Sequence, residues 1–123
     1  MSATENEIQV DVRDLGTAAV LIPRLAYLNY ASSDTVKAHL KTACSARLAA
    51  GAKTIVLDLA EVGLVDSCGL SLLISVKKLA DAENARFALC GLTPVILRLF
   101  EITKLDRAFS IFPDQASAIS GNA

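Results

Sequence analysis

Asp66, Ser67 and Cys68 stand side by side in the segment LVDSCGL, where they place an acid, a hydroxyl and a thiol between two apolar runs. Side chains of these types can form an active site, cap a helix, or serve as a phosphorylation switch. The flanking runs, TIVLDLAEV and LSLLISVKKLA, predict a strand before the segment and a helix after it. The three side chains therefore lie at a strand-to-helix turn.

Catalysis by Ser67 or Cys68 would need a base. A serine on a tight strand-to-helix turn resembles the nucleophile elbow of serine hydrolases, but the Gly-x-Ser-x-Gly spacing is missing here. That fold also needs its histidine after the serine, whereas the one histidine of the chain, His39, precedes it. Cys68 likewise has no histidine after it to activate the thiolate. The sequence predicts no catalytic residue and no enzymatic activity.

Metal and cofactor sites lack the residues they require. No two cysteines, and no histidine and carboxylate, have the spacing of metal ligands. The glycines near the segment stand singly, which indicates turns rather than a cradle for phosphates. The three cysteines are scattered and predict free thiols in a reducing cytoplasm. They are Cys44, Cys68 and Cys90.

The composition indicates one small globular domain. The chain has 123 residues, of which 53% are hydrophobic and 20% charged, and its net charge is -1. Without a basic stripe, direct binding to nucleic acid is not expected. The opening MSATENEIQV is too polar for a signal peptide, and no apolar run reaches membrane-spanning length. We expect a cytoplasmic monomer with a single domain at 7–119 and flexible ends at 1–6 and 120–123.

The first third of the chain predicts a hairpin and a helix. EIQVDVRD alternates as a half-buried strand, and AAVLI follows the turn signal DLGT as its antiparallel partner. Pro23 is expected to close the second strand or to place it at an edge. A helix then has its apolar residues at helical spacing and stops at Gly51. Its predicted cap is one of three polar residues, Ser32, Ser33 or Asp34.

The rest of the chain alternates strands with helices. TIVLDLAEV predicts a central strand that is covered on both faces, and the next helix runs from near Ser67 to about Glu83. ARFALCG and AFSIF predict strands; the helices after them have Thr93 and Asp114 as caps. This order predicts an α/β fold, a mixed sheet of four to five strands with helices mainly on one face.

The polar segment has a purely structural interpretation, in which Asp66 or Ser67 caps the helix. Gly69 fits this interpretation less well, because a glycine in the first turn suggests that another backbone approaches closely. Four large apolar residues follow, and they cover more of the helix than one sheet-facing stripe needs. They are Leu70, Leu72, Leu73 and Ile74. Apolar surface beside a polar turn favours a binding module over an enzyme.

The segment VDSCGLSLLISV resembles the STAS domain of the bacterial anti-sigma factor antagonists. Asp66, Ser67, Gly69 and Leu70 stand at the four defined positions of that family's Asp-Ser-x-Gly-Leu motif. VILRLFEITKLD is similar to the family's third helix, except that Lys104 stands where a glycine is usual. The order of elements also agrees, so the resemblance implies a STAS fold.

The resemblance implies a partner switch. The unphosphorylated protein would bind an anti-sigma factor, a serine kinase of the histidine-kinase-like ATPase fold, and so free a sigma factor for transcription. Phosphorylation of Ser67 would release the kinase, and a PP2C-type phosphatase would reverse it. The implied partner-binding residues are Tyr27, Asn29, Asp66, Ser67, Cys68, Gly69 and Leu70.

Residues 26–29 depart from the family pattern. Ala-Tyr-Leu-Asn stands where relatives often carry Gly-Glu-Leu-Asp, in a loop that commonly contacts the kinase. The alternative is therefore a STAS scaffold or subunit of a signalling or lipid-transport complex that is not phosphorylated. A sensor of nucleotide or lipid has no phosphate cradle or aromatic cage in the sequence to support it.

Overall fold

The computed structural model describes residues 9–121. The predicted flexible segment at 1–6 and the last two residues of the other predicted end lie outside this range. This range contains four α-helices and a short 3-10 helix, Leu105–Arg107. The α-helices are α1 Tyr30–Ala49, α2 Ser67–Ala82, α3 Pro94–Thr103 and α4 Gln115–Ser120. The strands are β1 Gln9–Asp14, β2 Ala18–Arg24, β3 Tyr27–Leu28, β4 Thr54–Asp58, β5 Leu64–Val65, β6 Arg86–Cys90 and β7 Ser110–Phe112.

Five strands form the main sheet in the order β1-β2-β4-β6-β7. β1 and β2 are the predicted antiparallel hairpin, and all other neighbours in this sheet are parallel. β4 is the central strand, with Ile55, Val56 and Leu57 fully buried. Such a buried apolar run is typical of a strand in a parallel sheet that is covered on both faces. The prediction of a central strand at this place is therefore confirmed. The strand is shorter than predicted, because Leu59 lies just past its end, although it is also buried.

Helices cover the two faces of the sheet unequally. Ile55 and Leu57 belong to the larger core, together with apolar residues of α1, α2 and α3. Val56 points the other way, into a small cluster with Ala118 of α4. The mixed sheet with helices mainly on one face is therefore confirmed.

β2 continues through Pro23 instead of ending there. Pro23 lies opposite Val10 of β1, whereas the parallel pairing of β2 with β4 ends at Leu21. The missing amide hydrogen of proline is tolerated because no ladder with β4 exists at that point. Beyond Pro23 the strand reaches Arg24.

The prediction for the start of α1 was wrong. Asn29 is the cap: its side-chain Oδ1 accepts from the amides of Ala31 and Ser32, at 3.1 and 3.3 Å. The Ser32 hydroxyl accepts in return from the Asn29 amide at 3.2 Å, so Ser32 belongs to the first turn rather than preceding it. This reciprocal pair satisfies several first-turn amides at once and fixes the start of the helix earlier than the Ser-Ser-Asp run indicates.

Candidate functional site

Two short parallel strands, β3 and β5, bring the loop before α1 against the loop before α2. Their register sets Tyr27 opposite Leu64 and Leu28 opposite Val65. The Leu28 carbonyl accepts from the amide of Asp66 at 3.1 Å. Residues 26–29 and the polar segment, which are far apart in the sequence, therefore form one platform. The prediction missed this second sheet, since two-residue strands carry no periodicity.

Asp66 caps α2 and also holds the start of α1. Its Oδ1 accepts from the amide of Gly69 at 3.0 Å, and its Oδ2 accepts from the amide of Tyr30 at 2.9 Å. These hydrogen bonds, that from Gly69 first, lower the pKa of the Asp66 carboxyl below its ordinary value. Two helix N-termini, each with a partial positive charge, thus share one carboxylate.

Ser67 is the first residue of α2, where the sequence predicted the helix to start, and its side chain is exposed. Its hydroxyl makes no hydrogen bond to any residue in the range 9–121, so the cap is Asp66 and not Ser67. The Ser67 hydroxyl is therefore accessible to another protein.

Gly69 is buried where the two platform segments meet. A Cβ atom at this position would lie 2.3 Å from the Leu28 carbonyl oxygen and 2.8 Å from a methyl group of Val65. Real side chains do not reach such distances, so the close approach of another backbone that the glycine indicated is present. Gly69 therefore lets the two platform segments approach closely and so positions the platform.

Cys68 and Leu70 are half-buried. Cys68 lines a groove of 190 Å³ between the first turns of α1 and α2, together with Lys37 and Ser71. Leu70 packs against the main core.

The other two thiols are buried, and burial raises the pKa of Cys44 to about 11 and that of Cys90 to about 12.

α2 does not expose the apolar surface that the sequence predicted for its first turns. Leu72 and Leu73 are 2% and 0% exposed, while Leu70 and Ile74 are half-buried against the core. α2 packs against α1 as well as the sheet, which covers a wider stripe than the sheet alone would cover.

The exposed apolar residues of the platform are Tyr27, Tyr30 and Leu64, which we call the aromatic patch. Their exposed fractions are 56%, 81% and 53%. Tyr27 and Leu64 are register neighbours, and the Tyr30 amide is bonded to Asp66, so the patch adjoins the polar segment. Of the three, only Tyr27 was expected to contact a partner. The two tyrosines that flank the Asn29 cap, Tyr27 before it and Tyr30 after it, were the available signal for Tyr30.

Features of other functional classes are missing from residues 9–121. No group of three or more His, Cys, Asp or Glu side chains could hold a metal ion there. None of the helices in that range is both long enough and apolar enough to span a bilayer. The chemistry of the platform is that of an accessible hydroxyl between a carboxylate and an apolar patch.

Comparisons with known proteins point to one family. The STAS domain family matches residues 11–118 of the chain. An anti-sigma F factor antagonist of Paenibacillus polymyxa is 28% identical over 102 residues, which cover 82% of this chain and 85% of that protein.

Two solved structures share the fold. An anti-sigma factor antagonist from Mycobacterium paratuberculosis superimposes with a TM-score of 0.75 at 22% identity, covering 94% of both chains. The Bacillus cell fate determinant SpoIIAA in its phosphorylated form superimposes with a TM-score of 0.63 at 17% identity, covering 94% of this chain and 98% of that chain.

Proposed function

The chain belongs to the STAS domain family, and we propose that it works as an anti-sigma factor antagonist controlled by phosphorylation of Ser67. One observation carries the proposal. The Ser67 hydroxyl is exposed at the start of α2 and has no hydrogen bond within residues 9–121, while Asp66 already caps the helix. The hydroxyl is thus free to be modified without loss of a contact that the fold needs.

The unphosphorylated form binds an anti-sigma factor that is itself a serine kinase, and this binding frees a sigma factor. The names of the Paenibacillus polymyxa relative and of the Mycobacterium paratuberculosis structure support this role, and the phosphorylated form of SpoIIAA supports the modification. A PP2C-type phosphatase restores the binding form. The protein is not an enzyme in this scheme, and residues 7–119 act as one domain in the cytoplasm.

Phosphorylation of Ser67 is expected to abolish partner binding without unfolding the domain. It adds about 1.5 to 2 negative charges at the N-terminus of α2, where the helix dipole favours an anion. The fold therefore tolerates the phosphate. A partner that covers the platform would have to strip water from the phosphate beside the Asp66 carboxylate, and burying an unpaired charge is strongly unfavourable. The partner therefore leaves while the domain stays folded.

Some residues of the platform contact the partner, and others hold the backbone of the platform in place. Ser67 carries the switch, and the aromatic patch provides the apolar area that a partner buries. Asp66, Gly69 and Asn29 hold the backbone through caps and a close approach. Cys68 and Leu70 contact the partner only with the part of their surface that remains exposed. A partner must accept the tyrosine at position 27, where relatives often carry glutamate.

The site of modification is tested by intact-mass analysis after incubation with ATP, magnesium and a candidate anti-sigma kinase. One phosphoryl group is expected on the wild-type protein and none on Ser67→Ala. Ser71→Ala is the matched control, because Ser71 is also exposed and lies one turn further along α2. Phosphate that persists in Ser67→Ala and disappears in Ser71→Ala would contradict the assignment.

The second candidate function is a STAS scaffold that binds its partner without phosphorylation, which the changed residues 26–29 favour. Such a protein would be captured from a native lysate equally well as wild type and as Ser67→Glu. A switch protein would lose its partner in the Ser67→Glu form only.

A further inference from the structure

Asp58, the last residue of β4, is the one charged residue within the range 9–121 that is buried. Its Oδ1 accepts from the amide of Ala60 at 2.9 Å, and its Oδ2 accepts from the side-chain Nε2 of Gln115 at 2.6 Å. Within the same range the carboxylate has no ion pair. A buried carboxylate without a cation depends on its hydrogen bonds, so the loss of either donor is costly.

Gln115, the first residue of α4, holds this carboxylate with one end of its amide and Arg13 with the other. Its Nε2 donates to Asp58, and its Oε1 accepts from the guanidinium of Arg13 in β1. Only an amide side chain combines a donor and an acceptor in this way. α4 also has other attachments, since Ala118 is buried and its carbonyl accepts from Arg86 at 2.6 Å. Replacement of Gln115 should therefore leave α4 on the sheet.

The turn that Asp58 shapes leads directly into the platform. After the Asp58 to Ala60 hydrogen bond, the chain reaches Gly63 and Leu64, whose amides both donate to the carbonyl of Ala26, at 2.7 and 3.1 Å. Ala26 adjoins β3, and Leu64 begins β5. These two hydrogen bonds therefore join the two segments of the platform, and a single loop connects them to the buried carboxylate.

The Asp58 side chain is confined on the side of β6. A Cβ atom at Gly91 would lie 2.7 Å from Asp58 Oδ1, so only glycine fits here. Without the Gln115 donor, the carboxylate would recover a hydrogen bond by turning toward water, and this would break its bond to Ala60. Leu59 and Val62 of the same loop are fully buried and would keep it on the core. The loop would therefore loosen without unfolding of the domain.

We propose that Gln115 is a positioning residue for the platform, which acts through the Asp58 carboxylate on the loop that leads to β5. The platform is the surface that binds the partner in the proposed function, on which this role of Gln115 in binding rests. α4 packs on the opposite face of the sheet from α1 and α2. A helix on the far face of the sheet thus controls the geometry of the surface that carries Ser67.

Amide hydrogen exchange of the 15N-labelled full chain, followed by NMR, tests the positioning without a partner. Gln115→Glu removes the donor and sets a second carboxylate beside Asp58. The amides of Gly63 and Leu64 are expected to exchange about tenfold faster in this variant, because local opening of the loop becomes easier. The amide of Asn84, which donates to the Asp81 carbonyl at the end of α2, should keep its rate. Equal acceleration at all three amides, or at none, would overturn the proposal.

A double variant restores the hydrogen bonds with the charges exchanged. In Asp58→Asn with Gln115→Glu, the asparagine donates to the new carboxylate, which still accepts from Arg13. Its platform amides should exchange within about twofold of wild type. Gln9→Glu is the matched control, because Gln9 donates to Asp11 at 3.0 Å in an exposed pair, and this variant should also keep the wild-type rates. A folded double variant that exchanges as fast as Gln115→Glu would overturn the proposal.

Titration with a candidate anti-sigma kinase separates this role from the proposed function. The kinase should bind Gln115→Glu about fivefold more weakly than wild type and the double variant as tightly as wild type. Wild-type affinity of Gln115→Glu, in spite of faster exchange, would overturn the role of Gln115 in binding. If no kinase binds the wild-type protein, the proposed function fails, and the exchange rates still decide whether Gln115 positions the platform.

Discussion

The Asp66 carboxylate accepts a hydrogen bond from the backbone amide of Tyr30 at 2.9 Å, across 36 positions of sequence. The same side chain caps its own helix through Gly69. One acid therefore fixes the relative position of the exposed Tyr30 ring and the Ser67 hydroxyl. The first residue of the Asp-Ser-x-Gly-Leu motif joins two helix starts, which explains in physical terms why an acid precedes the serine here.

Asp66→Asn should make the stability of the domain less dependent on pH. The folded state lowers the pKa of Asp66, so its contribution to stability is present above the ordinary value of 3.8 and is lost as pH falls through the lowered value. Asparagine retains capping ability but does not titrate. Urea unfolding from about pH 7 to about pH 3 should show the variant less stable than wild type at the upper end, with the difference narrowing toward the lower end. A constant difference across this range would show that the carboxylate charge is irrelevant.

Gly69→Ala should destabilise the domain by about 1–3 kcal/mol, the usual range for overpacking. The new methyl group would collide with the Leu28 backbone, which cannot move without disturbing β3. Gly63→Ala is the matched control, because its Cβ would lie 3.6 Å from the Ala26 carbonyl oxygen, an ordinary contact. Chemical denaturation of both variants measures the difference. Equal stabilities would mean that the platform can open at little cost.

The start of α2 was predictable because its signals are local. Asp66 is a strong cap directly before a periodic apolar run, and both features can be read within one segment. The start of α1 was not, because Asn29, Ser32, Ser33 and Asp34 are all suitable caps. The choice of Asn29 follows from the pairing of β3 with β5, which fixes where the loop ends.

The position of the exposed apolar surface also depended on tertiary packing. Leu72 and Leu73 were expected to contribute to it because the sequence does not show that α1 covers a second flank of α2. Leu64 is exposed and Val65 is buried because of how β5 pairs with β3, which sets Leu64 opposite the exposed Tyr27 and Val65 opposite the buried Leu28. No pattern within two residues carries this information.

Lys104→Gly should stabilise the domain by about 0.5–1 kcal/mol. Lys104 ends α3 in the left-handed region, with φ at +64°, where a Cβ atom is unfavourable and glycine is preferred. Lys104→Ala is the control, since it removes the long side chain but keeps the Cβ atom. Thermal unfolding should show a higher midpoint for the glycine variant alone. A similar gain with alanine would assign the effect to the charge.

Tyr30→Ala should weaken partner binding by about tenfold with little change in stability. Its ring is 81% exposed in the aromatic patch, and exposed aromatic residues often dominate the energy of an interface. Ile102→Ala is the comparison, because Ile102 is 65% exposed in the last turn of α3 and belongs to neither segment of the platform. Calorimetric titration of each variant with the purified kinase should show Ile102→Ala within about twofold of wild type. The reverse order of effects would move the interface to α3.

Ser67→Ala and Ser67→Glu should fold equally well but differ in binding. Asp66 provides the cap, so the alanine variant should lose much less than the 1 kcal/mol or so expected when a capping serine is removed. Glutamate places a negative charge at the N-terminus of α2, which the dipole favours. In the complex the same charge would be buried beside Asp66 without a partner, and the cost of burying it should exceed the 1.4 kcal/mol that corresponds to tenfold in affinity.

Titration of both variants against one purified kinase, with stability measured in parallel, should give tight binding by the alanine form and at least tenfold weaker binding by the glutamate form. Equal affinities at equal stability would assign Ser67 no part in the switch and would favour the scaffold.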